Sequence, residues 1–158
     1  MLTQLFLGGK RLRNLKELVH QFFQVSRAMT NNLNQRMAEY KLTHAQLAII
    51  EYLLKKEDSS SLVDIAKYLN VEKSTITRAV NHLEKNNYIL QVPSKDSRER
   101  RIILSDSSNE IQSTVQQTRE EFESTAFKDI SNEELDVTFQ TLLKILTNLN
   151  GDENKRND

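Results

Sequence analysis

Three glycines and one proline in 158 residues leave this chain with little of the material from which tight turns are made. A sandwich or barrel needs such turns many times over, so a mainly helical protein is expected. The length suits one compact domain, or a small domain with an appended oligomerisation element. The absence of Cys excludes disulfides, thiolate metal sites and a direct thiol redox sensor. No apolar run approaches the roughly 20 residues of a membrane span. The short apolar start (Leu2, Leu5, Phe6, Leu7) is followed by no small-residue cleavage site, so a cytoplasmic location is expected.

The formal net charge is zero, but the charge is unevenly spread. Residues 1–66 carry +3, residues 67–104 carry +4 and residues 105–158 carry −7. A polyanion would therefore meet the middle of the chain.

Apolar residues from Leu12 through Phe22 and Phe23 to Met37 recur at three- and four-residue steps, which predicts an amphipathic helix over 11–39. Thr43 with Gln46 forms a capping box for a helix reaching about residue 55. Ser61 with Asp64 opens a shorter helix through residue 69. Asn70 and Val71 break it, and another helix follows over 73–86. Asn86-Asn87 suits a left-handed stop, because Asn tolerates positive φ better than most residues. Two β-prone runs, 88–92 and 101–104, flank a charged loop and read as a hairpin. Ser105 is a candidate cap for a helix bearing Ile111, Val115, Thr118 and Phe122. Ser131 with Glu134 caps a last helix carrying Leu135, Phe139, Leu142, Leu143, Leu146 and Leu149. Residues 151–158 read as a disordered polar tail.

In the middle, Leu62, Ile65, Ala66, Leu69, Val71, Ile76, Val80 and Leu83 would form a small core between two crossing helices. Lys73, Ser74, Thr75, Thr77, Arg78 and Asn81 then share the outer side of the second. Short hydroxyls and an amide near a helix N-terminus can bond base edges and phosphates without steric bulk. A solvated helix face has the same polarity. The hairpin loop adds Lys95, Arg98, Arg100 and Arg101, four cations within seven residues. Arg at such a tip can enter a narrow minor groove, where the negative potential is greatest. Asp96 would be repelled by phosphate and is expected to pair with a neighbouring Arg.

Three strings together resemble the winged helix-turn-helix regulators of the MarR family. They are Leu62-x-x-Ile65-Ala66-x-x-Leu69-x-Val71, then Ser74-Thr75-Ile76-Thr77-Arg78-x-Val80-x-x-Leu83-Glu84-Lys85, then Asp96-x-Arg98-x-x-Arg101-Ile102-x-Leu104-Ser105. The resemblance implies a mainly α fold with a small β-hairpin wing, framed by N- and C-terminal dimerisation helices. It divides the chain into an arm and dimerisation helix (1–40), the winged DNA-binding region (41–104), C-terminal dimerisation helices (105–150) and the tail (151–158). It implies a homodimer on double-stranded DNA with a pseudo-palindromic operator, a repressor role, and release by a small aromatic or anionic effector. Arg98 becomes the wing residue expected in the minor groove, with Asp96 and Arg101 ordering the wing. The effector would lodge between the dimer helices and the winged module, where Tyr40 and His44 are the nearest polar or aromatic side chains. The sequence departs from the family at Glu72, where Ser, Thr or Asp usually caps the recognition helix, and at Asn87 and Ser108, where Gly is usual.

Rival classes find less support. His20, His44 and His82 fall on different predicted helices, so neither a metal site nor a cofactor is expected. No Gly-rich phosphate loop exists, and the carboxylates lie on solvent faces, so no enzyme is expected. An interaction module using the winged fold on protein is the alternative. Loss of duplex binding at high salt separates it from a DNA-binding protein.

Overall fold

The computed structural model describes residues 15–156. The expectations for Leu2, Leu5, Phe6 and Leu7, and for the first residues of the predicted helix, lie outside them. The described helices are α1 (Leu15–Met37), α2 (His44–Leu54), α3 (Leu62–Leu69), α4 (Lys73–Lys85), α5 (Asn109–Ala126) and α6 (Asn132–Arg156). The strands are β1 (Ser60–Ser61), β2 (Ile89–Val92) and β3 (Arg101–Leu104). The chain divides into two compact units after Phe122. No helix among the described residues is long and apolar enough to cross a membrane.

Helix starts follow the caps that the sequence encodes. The Gln46 backbone N–H donates to Thr43 Oγ1 while the Thr43 N–H donates to Gln46 Oε1, so two orphan donors are satisfied together. Ser61 Oγ accepts from the Asp64 N–H at 3.0 Å and starts α3. In the second unit, Ser131 and Glu134 form the reciprocal pair at the start of α6. With so little Gly, left-handed turns fall to other residues: Lys41 (φ 55°), Asn70 (53°), Asn87 (60°) and Asp129 (61°). Asn is the cheapest non-Gly choice there, which accounts for Asn70 after α3 and Asn87 after α4.

The first unit is built on one core. Leu47, Ile49, Ile50, Ile65, Val80, Leu83 and Ile102 are fully buried, and Ile111, Val115 and Phe122 of α5 join them. The sheet is antiparallel in the order β1-β3-β2, with Ile89 opposite Leu104 and Val92 opposite Arg101.

Four details differ from the sequence reading. The hairpin gains a third strand, because Ser60 and Ser61 pair with Ile102 and Arg101. Two serines carry no strand signal of their own; the pairing is supplied by β3 from forty residues away. Val71 is 42% exposed rather than in the core, since the left-handed Asn70 turns the chain outward before it. Ser105 does not cap α5. Its hydroxyl donates to the Asn87 carbonyl, a short 3-10 turn (Asp106–Ser108) intervenes, and α5 begins at Asn109. Helix α6 runs to Arg156, where a disordered tail was expected from residue 151. A single Gly costs a helix about 1 kcal/mol, too little to end one without a stop signal.

Leu83→Ala should cost about 2–5 kcal/mol of unfolding free energy, because it opens a cavity where nothing solvates it. Val71→Ala should change stability by no more than about 0.5 kcal/mol. Urea unfolding of both variants checks the pair.

Candidate nucleic-acid interface

Helix α4 turns Ile76, Ala79, Val80 and Leu83 inward, and so leaves Lys73, Ser74, Thr75, Arg78 and Asn81 exposed. Thr77 is half-buried at the flank, and its hydroxyl donates to the Lys73 carbonyl at 3.0 Å. That oxygen can still accept a bond. The helix has no side-chain cap, because Glu72 stands at its N-cap without one. An uncapped N-terminus keeps backbone donors and the positive end of the helix dipole open, while the Glu72 carboxylate opposes an anion there.

The wing is an ordered loop. Asp96 accepts from the Arg98 N–H at 2.9 Å, and the Glu99 N–H donates to the Asp96 carbonyl at 3.0 Å. Asp96 therefore orders the tip through the backbone and not, as expected, by pairing with an arginine. Ser94 Oγ donates to Glu99, and Arg101 Nη1 meets the other Glu99 oxygen at 3.2 Å. Arg101 also donates to Ser59 Oγ at 2.9 Å and to the Ser59 carbonyl, which stitches β3 to the approach of β1.

The six candidate residues of the helix and the five of the wing thus separate by role. Lys73 and Arg78 on α4, and Lys95 and Arg98 on the wing, are exposed and form no ion pair among the described residues. Arg101 holds the sheet together. Arg100 is engaged by Gln91, Asn81 and Glu84, and ties the wing to α4. The Asn81 oxygen faces that guanidinium, which can only donate, so its amide N–H₂ is the outward group. Sequence reasoning missed Ser59, Glu84 and Gln91. The one signal for them was an acid, Glu84, on the outer side of a helix next to a basic loop.

Tyr40 and His44 both lie close to residues of α5, Tyr40 near Thr114 and His44 near Arg119. The Tyr40 hydroxyl bonds with Glu39 and Thr114, and the Glu39 carboxylate raises its pKa above the ordinary value. His44 starts α2 beside the paired Arg119 and Glu51, whose Nε and Oε1 lie 2.7 Å apart. Burial, then the Arg119 charge, pushes its pKa below the usual 6.5. An open cleft of about 560 Å³ bordered by Tyr52, Lys55, Asp58 and Asp64 includes neither residue. Among the described residues no group of three or more His, Asp or Glu side chains is placed to hold a metal.

A helix pair packed behind an outward helix, flanked by a three-stranded antiparallel wing, is a winged helix-turn-helix. Residues 42–100 match the model of the MarR family. YwoH of Bacillus subtilis (strain 168), an HTH-type transcriptional regulator, is 25% identical over 119 residues, 75% of this chain and 86% of the relative. The MepR–DNA complex of S. aureus superposes with a TM-score of 0.77 at 25% identity, covering 84% of this chain and 97% of that one. A mutant MarR of E. coli complexed with operator DNA gives 0.72 at 20% identity, over 84% and 93%.

His44 makes stability depend on pH with a definite sign. Its folded pKa is lower than its unfolded one, so the neutral ring's contribution is present above about pH 6.5 and is lost as pH falls. Between about pH 7 and pH 5 the melting temperature should drop, and His44→Gln should flatten the drop. Thermal melts of the two proteins across that range check it.

Proposed function

We propose that the chain is a transcriptional regulator that binds double-stranded DNA as a homodimer, with α4 in the major groove and the wing over the adjacent minor groove. The observation that carries this is the division of cations. Lys73, Arg78, Lys95 and Arg98 are exposed, with no ion pair among the described residues, on the two elements that project from the core, while the remaining wing arginines hold the protein together. Ser74 and Thr75 add short donors beside the open helix N-terminus, where a phosphate is favoured. MepR and MarR, which share this fold, were solved on DNA. The residues proposed to meet DNA are Lys73, Ser74, Thr75, Thr77, Arg78, Asn81, Lys95 and Arg98, with Asp96, Arg100 and Arg101 shaping the wing.

The dimer is inferred from apolar surface that is exposed among the described residues. On α1, Leu15, Val19 and Phe23 are 74%, 50% and 59% exposed; on α6, Val137, Phe139, Leu142, Leu143 and Leu149 are exposed as well. Rows of this kind on a folded chain mark contact with another protein, and a second copy offers the same rows. Two copies present two helices to one face of a duplex, which calls for a pseudo-palindromic operator. We assign a repressor role, cytoplasmic location, and release by a small aromatic or anionic effector at the Tyr40–His44 seam. Such an effector acts only through unequal affinity for the two dimer states, so it must bind free protein more tightly than DNA-bound protein. No catalytic role is assigned.

Selection of bound sites from a random duplex library tests the DNA reading, and binding that persists undiminished at high salt would contradict it. On a selected site, Arg98→Ala should weaken affinity by about 1–3 kcal/mol without changing the fold. Fluorescence anisotropy measures the first and circular dichroism the second. Sedimentation should show a dimer, and Leu142→Glu should shift it towards monomer. A folded wild-type monomer at micromolar concentration would defeat the dimer.

A further inference from the structure

The wing bears four cations, and one of them is turned back on the protein. Arg100 Nε donates to Gln91 Oε1 at 3.1 Å, Nη1 to Asn81 Oδ1 at 2.7 Å and Nη2 to Glu84 Oε2 at 2.6 Å. Asn81 and Glu84 are three residues apart, hence neighbours on one side of α4; Gln91 is on β2, and Arg100 itself leads into β3. A planar guanidinium with fixed donors thus joins the outward helix to both strands of the hairpin. The Arg100 side chain is 25% exposed and its carbonyl accepts from the Leu62 N–H at 3.3 Å, so the backbone carrying the fork is itself held.

Such a fork fixes direction as well as distance. Of the contacts that α4 and the wing make beyond the sheet itself, this one reaches from the polar side of α4 to the loop that carries Arg98. We propose that Arg100 is a positioning residue, which locks the angle between wing and recognition helix through Glu84, Asn81 and Gln91 and does not itself neutralise a phosphate. The proposal rests on the DNA-binding reading above. It separates two functions within one basic run: Arg98 reaches out, and Arg100 aims it. A free wing could still reach the groove, but only by giving up its motion on binding, which weakens affinity without removing a charge contact.

The full-length protein, with Arg100→Ala, Glu84→Ala and the double variant, tests this in two arms. The first needs no DNA. Hydrogen exchange over residues 89–104 should quicken several-fold in both single variants, while the core peptide over 44–54 stays protected. Unchanged wing exchange in Arg100→Ala would overturn the lock. The second arm measures duplex affinity against salt. Arg100→Ala should bind about three- to tenfold more weakly. The slope of log affinity on log salt should be unchanged, and Glu84→Ala should also bind more weakly, with the double variant no worse than Arg100→Ala. A slope reduced by about one in Arg100→Ala, or tighter binding by Glu84→Ala, would make Arg100 a phosphate contact and refute the proposal. Wild-type protein that binds no duplex would instead sink the DNA reading, with the exchange arm still deciding the lock.

Discussion

The burial of Ile76, Ala79, Val80 and Leu83 along one side of α4 is the constraint from which the surface follows. Each large apolar side chain removed from water contributes about 1.5–3 kcal/mol, so rotating α4 by a single residue would exchange Ile76 for Thr77 at a prohibitive cost. The helix has one rotational setting about its own axis. Hydroxyls, amide and cations face outward because four apolar residues are held inward by α2, α3 and β2.

Electrostatics then divides a run that looks uniform. Lys95, Arg98, Arg100 and Arg101 would be four equivalent charges on a flexible loop. Glu99 and Ser59 engage Arg101, Glu84 and Asn81 engage Arg100, and Asp96 folds the tip through a backbone bond. Two cations remain to face outward. The acids embedded in the basic run reduce its net charge and give it shape in exchange. At the other end of the surface, Glu72 offers the reverse arrangement: a carboxylate at an open helix start, which opposes the anion that the bare backbone donors favour.

Much of this was legible because it is local. A capping box needs residues three apart, a 3.6-residue period needs one helix, and Asn before a hydrophobic strand is a turn signal; α2, α3, α4 and the hairpin were readable for those reasons. What could not be read depends on partners far along the chain. Strand β1 exists because β3 offers Ser60 and Ser61 a ladder. Ser105 looked like a cap until the fold set the Asn87 carbonyl beside it. Ser108 sits where a related chain would have Gly, but it lies buried in a 3-10 turn and donates to the Ser105 carbonyl, so no left-handed backbone demands Gly there. For the site, residue types marked the outward helix face and the basic loop. They carried no sign of which arginine points outward, because that choice lies with Glu84 and Gln91, from another helix and another strand.

The bond between Asn81 and Arg100 bears on how such a surface can diverge. With its oxygen held by the guanidinium, Asn81 offers one donor outward, whereas pairing with adenine uses the amide's oxygen and nitrogen together. Replacing Asn81 to suit a different base pair would also remove one of the three anchors of Arg100. Position 81 is therefore not an independent letter in a recognition code. Descendants of this chain that acquire new sites should change 81, 84, 91 and 100 as a block, and a designer recoding the helix would have to rebuild the hinge of the wing in the same step.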